Sequence, residues 1–131
     1  MNQRGFATLE VILMVMVIGI LASIAVPRFT SVTTAANTAK IQSDLSTIDT
    51  AISIYYMEKG SYPTTLNQLS DYLKDYANVK PPAGNAYING TSTKINDTEY
   101  KITAATDGGE SRATLDSKTS GEFTNKTKTG S

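Results

Sequence analysis

Hydrophobic and polar positions divide this chain into three stretches with different rhythms. Residues 6–26 are an almost unbroken apolar run, interrupted by Thr8, Glu10, Gly19 and Ser23. As a helix, these 21 residues would extend about 31 Å, which matches a bilayer hydrocarbon core of roughly 30 Å. Residues 30–37 are small and mostly polar, with several threonines, and have mediocre helical propensity. Apolar spacing returns at Ile41, Leu45, Ile48, Ile52 and Tyr55, in steps of four, three, four and three. That is one face of an amphipathic helix, better explained by packing against a head domain than by a coiled coil. Gly60 is a natural stop after Lys59. The pattern therefore predicts one helix over residues 6–59, about 80 Å long. Gly19 should loosen it, and Pro27, which lacks a backbone donor, should kink it.

The rest reads as turns and short elements. Gly60-Ser61-Tyr62-Pro63-Thr64-Thr65 is a loop, and Thr64 or Thr65 can cap a short helix with Leu66, Leu69, Tyr72, Leu73 and Tyr76 on its apolar face. Asn89-Gly90 suits a tight turn after Tyr87-Ile88. Tyr100, Ile102 and Ala104 alternate with Lys101 and Thr103, as a half-buried strand does. Asp107-Gly108-Gly109 can turn the chain into Ala113 and Leu115, which alternate with Arg112 and Thr114. A small antiparallel sheet packed on the second half of the helix follows, making the fold class α+β. From about Lys118 the chain is rich in Thr, Ser, Lys, Gly and Asn with one Phe123, and reads as a mobile tail or a loosely docked edge.

Composition narrows the chemistry. The chain has 131 residues, room for one modest domain, with twelve basic and twelve acidic side chains. No strong field points to nucleic acid or anionic lipid. There is no cysteine, hence no disulfide or thiolate metal site, and no histidine, the commonest general base and metal ligand. No nucleophile–base pair or glycine-rich phosphate loop is recognisable, so an enzyme is not expected. Seven tyrosines and three phenylalanines invite an electron-transfer idea, but most occupy core-like positions where packing is the simpler explanation.

Glu10 is the only charge between Arg4 and Arg28. A charged side chain costs about 2.5–3.5 kcal/mol at mid-membrane and less near the interface, so a carboxylate kept there calls for a partner. The segment Arg4-Gly5-Phe6-Ala7-Thr8-Leu9-Glu10 resembles the class III signal of type IV pilins and type II secretion pseudopilins. Gly19 and Pro27 fall where many family members carry a helix-loosening Gly and a kinking Pro. The Gly-Ser-Tyr-Pro-Thr-Thr run at residues 60–65 and the turn at residues 81–87 also resemble major pseudopilins, with Ala86 in place of a proline. Ala7-Thr8 departs mildly from the family, in which Thr commonly follows the Phe directly.

The resemblance implies a pilin fold and a leader of residues 1–5. A prepilin peptidase would cut between Gly5 and Phe6, and Phe6 would become an N-methylated terminus. Residues 6–29 would be the membrane and filament-core helix, 30–59 the amphipathic helix entering the head, 60–117 the head and 118–131 a flexible tail. Removing Arg4 with the leader leaves eleven basic against twelve acidic residues, a net charge of −1. Glu10 would pair with the Phe6 amine of a neighbouring subunit during assembly. The expected partners are copies of itself, the inner-membrane assembly platform with its ATPase, and nucleic acid only in a competence pilus. The subunit would rest in the cytoplasmic membrane before assembly and become an extracytoplasmic or surface filament afterwards. Calcium is the one cofactor the resemblance raises, with Asp107 and Asp116 as first candidate ligands, although solvated turn carboxylates are the simpler reading. Both a secretion pseudopilus and a type IV pilus fit. The rival is an ordinary signal peptide cut after Ala25, releasing a soluble binding domain; its basic region would hold one Arg, and Glu10 would sit inside its apolar core.

Overall fold

The computed structural model describes residues 3–105 and 108–127, apart from the side chains of residues 25–28. The chain divides into two compact units, Met1–Thr33 and Thr34–Ser131. One helix, α1 (Gln3–Lys59), contributes to both. In the first unit its described apolar side chains are exposed within the chain, and α1 is the one helix among the described residues long and apolar enough to cross a membrane.

In the second unit, α1 buries Thr34, Thr38, Ile41, Leu45, Ile48 and Ile52 along one stripe. Tyr55 continues it as a half-buried residue. The expected amphipathic face is therefore the face that builds the core. Ala51 beside the stripe lets the head approach closely. The helix ends at Gly60, whose φ of +76° and N–H bond to the Tyr56 carbonyl (2.8 Å) form a left-handed cap.

The expected short helix is instead two 3-10 turns, Leu66–Leu69 and Tyr76–Asn78. Asp75 at φ +58° separates the second turn from what precedes it. Thr65 occupies the N-cap position, and the Gln68 side-chain oxygen accepts the N–H groups of Thr64 (2.6 Å) and Thr65 (3.2 Å). Leu69 and Leu73 reach the core.

The single expected sheet is two separate two-stranded ladders. Strands β1 (Asn85–Ile88) and β2 (Thr91–Lys94) form a hairpin around Asn89-Gly90, with φ +49° and +88° as a type I′ turn needs. Strands β3 (Lys101–Thr103) and β4 (Arg112–Thr114) pair antiparallel, Ile102 opposite Ala113. The polar stretch between β2 and β3 does not continue a ladder; it sends Ile95 and Tyr100 into the core instead. A second tight turn follows β4: Leu115 and Lys118 exchange two backbone bonds of 2.9 Å around Asp116-Ser117. Both turn residues have positive φ without being glycine.

Of the two expectations for the segment from Lys118, a mobile tail or a loosely docked edge, the structure has a docked segment through Thr127. Phe123 is fully buried in the core. A 3-10 turn, Ser120–Glu122, leads into it, capped by the Glu122 carboxylate accepting the Thr119 N–H at 2.9 Å. The Glu122 and Thr124 carbonyls accept the N–H groups of Asn89 and Gly90. One large aromatic, worth about 1.5–3 kcal/mol of burial, anchors a stretch whose average composition is polar.

Candidate functional site

The assembly site proposed from the sequence lies in the first unit. Gly5, Phe6, Glu10 and Gly19 are all helical. Phe6 is 74% exposed. It sits four residues before Glu10, so the two share a helix face. Glu10 opens a shallow apolar groove with Leu13, Met14, Val17 and Ile18. These are the residues three, four, seven and eight positions further on, so the carboxylate stands at one end of an apolar stripe. Among the described residues no side chain bonds to Glu10 or forms an ion pair with it. A Cβ on Gly19 would meet nothing within 4 Å, so packing within the chain does not require glycine there. The helix is continuous through residue 27, but the Pro27 side chain, and with it the expected kink, lies outside the described residues.

Within the head, polar residues on both flanks of the buried stripe tie α1 to the loops. The Asn37 amide donates to the carbonyls of Ala83 (3.2 Å) and Asn85 (3.0 Å). The Thr38 hydroxyl donates to Thr34 (2.7 Å) and accepts the Tyr87 N–H (2.8 Å). Lys40 reaches Asp44 (2.6 Å) and the Lys80 carbonyl (3.0 Å). Asp44 also accepts the buried Tyr100 hydroxyl at 2.6 Å. Asp49 accepts two Arg112 nitrogens and the Ala113 N–H, the latter at 2.7 Å, pinning β4 to the helix. The sequence reading missed these ties. Their signal was the placement of Asn37, Lys40, Asp44 and Asp49 beside the apolar stripe, where side chains can reach a packed partner.

Tyrosines gather at the C-terminal end of α1. Tyr56 stacks on Tyr62 with centroids 4.3 Å apart, and Tyr55 meets Tyr72 edge-on at 5.8 Å. Tyr72 donates to the Glu58 carboxylate, a bond that, with burial, raises its pKa to about 12. Burial, together with the bond to Asp44, also pushes the Tyr100 phenol well above its ordinary value. A raised folded-state pKa favours the fold below the unfolded phenol's pKa of about 10, and that contribution is lost as pH rises further. The head should therefore lose stability in alkali, and Tyr100→Phe should flatten that slope, as urea midpoints measured across alkaline pH would show. An unchanged slope would place the alkaline sensitivity elsewhere.

Of the two candidate calcium ligands, Asp107 lies outside the described residues. Both Asp116 oxygens accept backbone N–H groups, from Asn96 (2.9 Å) and Asp97 (2.7 Å). Asp97 returns the bond to the Asp116 N–H at 2.9 Å. The bond from Lys101, then that from Asp116, lowers the Asp97 pKa. No group of three acidic side chains among the described residues comes together as a metal site. Calcium takes six to eight oxygens; both oxygens of the one described candidate, Asp116, are taken up by backbone N–H groups. Asp116 and Asp97 thereby tie the turn after β4 to the Asn96–Asp97 backbone.

The chain is similar to proteins named type II secretion system core protein G. It is 35% identical over 84 residues to that of Escherichia coli (strain K12), covering 64% of this chain and 57% of that protein. It is 33% identical over 80 residues to that of Vibrio cholerae, covering 61% and 55%. It is 32% identical over 84 residues to that of Pseudomonas aeruginosa, covering 64% and 55%. The chain thus spans about half the length of the curated relatives it matches. No family model and no solved structure matches it. The chain is thus similar to type II secretion system core protein G, and one long apolar N-terminal helix followed by small antiparallel ladders agrees with the fold that the resemblance to type IV pilins and type II secretion pseudopilins implies.

Proposed function

We propose that this chain is a structural subunit, not an enzyme, of a type IV pilus-like filament, and that it works as a type II secretion pseudopilin. Prepilin peptidase cuts after Gly5, Phe6 is N-methylated, and subunits leave the cytoplasmic membrane by packing residues 6–29 against one another. The inner-membrane platform and its ATPase supply the machinery. One observation carries the reading: a single carboxylate, Glu10, stands at the end of an exposed apolar stripe with no partner among the described residues. A carboxylate and an amine are each costly in an apolar core, so pairing Glu10 with the Phe6 amine of a neighbour favours one register of addition. The names of the relatives favour the secretion pseudopilus over a surface pilus.

The test is the intact mass of the native chain in a sheared surface-filament fraction and in the cell envelope. A species beginning at methylated Phe6 and confined to the envelope is the expected result. The same species in abundant sheared filaments would turn the reading to a pilus. A soluble species beginning after Ala25 would overturn the filament reading.

A further inference from the structure

We propose that Asn89 is a spontaneous deamidation site and that the docked segment 120–127 holds it shut. The chemistry needs only the chain and water. The Gly90 amide nitrogen gives up its proton and bonds to Asn89 Cγ. The Cγ–Nδ2 bond breaks, and the side-chain amide leaves as ammonia with that proton. Water then opens the resulting succinimide at either carbonyl, leaving aspartate or isoaspartate. Glycine is the most permissive successor because no Cβ shields its nitrogen.

The fold needs this reactive pair. Gly90 has φ +88°, and a Cβ built on it would lie 2.9 Å from the Thr127 backbone nitrogen, so both conformation and packing require glycine. Asn89 at φ +49° is a residue that tolerates the left-handed region. The same contacts restrain the reaction. The attacking nitrogen donates its hydrogen to the Thr124 carbonyl at 2.9 Å, and the Asn89 N–H is held by Glu122 at 2.8 Å. Both turn residues are locked in the paired hairpin geometry. Reaction therefore waits for the segment to lift.

Conversion works in one direction. Isoaspartate adds a methylene to the main chain of a two-residue turn whose register depends on its length. Either product also adds a carboxylate beside Glu122. A head whose C-terminal segment has been undocked is thus marked and hindered from closing again. This site is independent of the filament reading.

The experiment incubates the full chain in detergent at mildly alkaline pH and follows Asn89 by peptide mass mapping with isoaspartate labelling. A synthetic peptide of residues 85–95 sets the unprotected rate. The intact chain should react slower than the peptide by about tenfold or more, because reaction requires local opening. Deleting residues 124–131 keeps Phe123 while removing the Thr124 carbonyl and Thr127, and should bring the rate close to the peptide's. Near-UV circular dichroism reports whether that variant keeps its core. An intact chain as reactive as the peptide would overturn the proposal, whatever the variant does. So would a folded deletion variant that stays as slow as the intact chain.

Discussion

Phe123→Ala should destabilise the head by about 3–5 kcal/mol, the usual cost of emptying a fully buried aromatic position. The side chain has no exposed surface and lies in the same core as Ile41, Leu45, Ile48 and Leu115. Its loss leaves a cavity among residues from α1 and from the loops. It also frees the backbone on either side, where Glu122 and Thr124 hold the β1–β2 turn. Small domains are stable by about 5–15 kcal/mol, so this single change would consume much of the margin. Urea titration of the full chain in detergent, following tyrosine fluorescence, would read the shift at constant slope. Phe123→Leu, which keeps most of the volume, should cost about 1 kcal/mol. A loss below about 1 kcal/mol for the alanine variant would mean that residues 118–127 are peripheral to the head.

Phe123 also marks where the sequence was hard to read. Periodicity needs several repeats, and the stripe from Ile41 to Ile52 supplied them, so both the helix and its buried face were legible. Asn89-Gly90 was legible because few residue pairs accept positive φ twice in succession. The segment after Ser117 has one apolar residue among threonines, lysines and glycines, and composition averages that anchor away. Asp116-Ser117 was missed for the opposite reason: neither residue is glycine, and the turn is held from outside by the Asp97 loop. The two ladders could not be told from one sheet, since strands of three or four residues carry too little alternation to set their partners. In the first unit, Glu10 stands out in the sequence because a lone charge in an apolar run has few bland explanations. The structure adds what a sequence cannot show: no described side chain answers that charge.

Glu10→Leu should leave membrane insertion intact and remove the subunit from filaments. Replacing a carboxylate by leucine in an apolar run makes insertion easier, since the charged residue is the costly one. Loss of assembly would therefore not reflect failure to enter the bilayer. The head lies in a separate compact unit, whose core from Ile41 to Phe123 does not include residue 10. Its stability should be unchanged, and the same urea titration provides the control. Under the proposed pairing, the neighbour's Phe6 amine would enter an apolar core without its counter-charge. Removing one partner of a buried ion pair costs about 3–5 kcal/mol. That corresponds to a fall on the order of a hundredfold or more in the equilibrium for adding a subunit, at 1.4 kcal/mol per tenfold. Glu10→Ala should behave the same way, which separates loss of charge from added bulk. The measurement is an immunoblot of membrane and polymer fractions after cross-linking. Both variants should appear in the membrane at wild-type levels and be nearly absent from polymer. Wild-type polymer from either would rule out the pairing, and assembly would then have to rest on the apolar stripe alone.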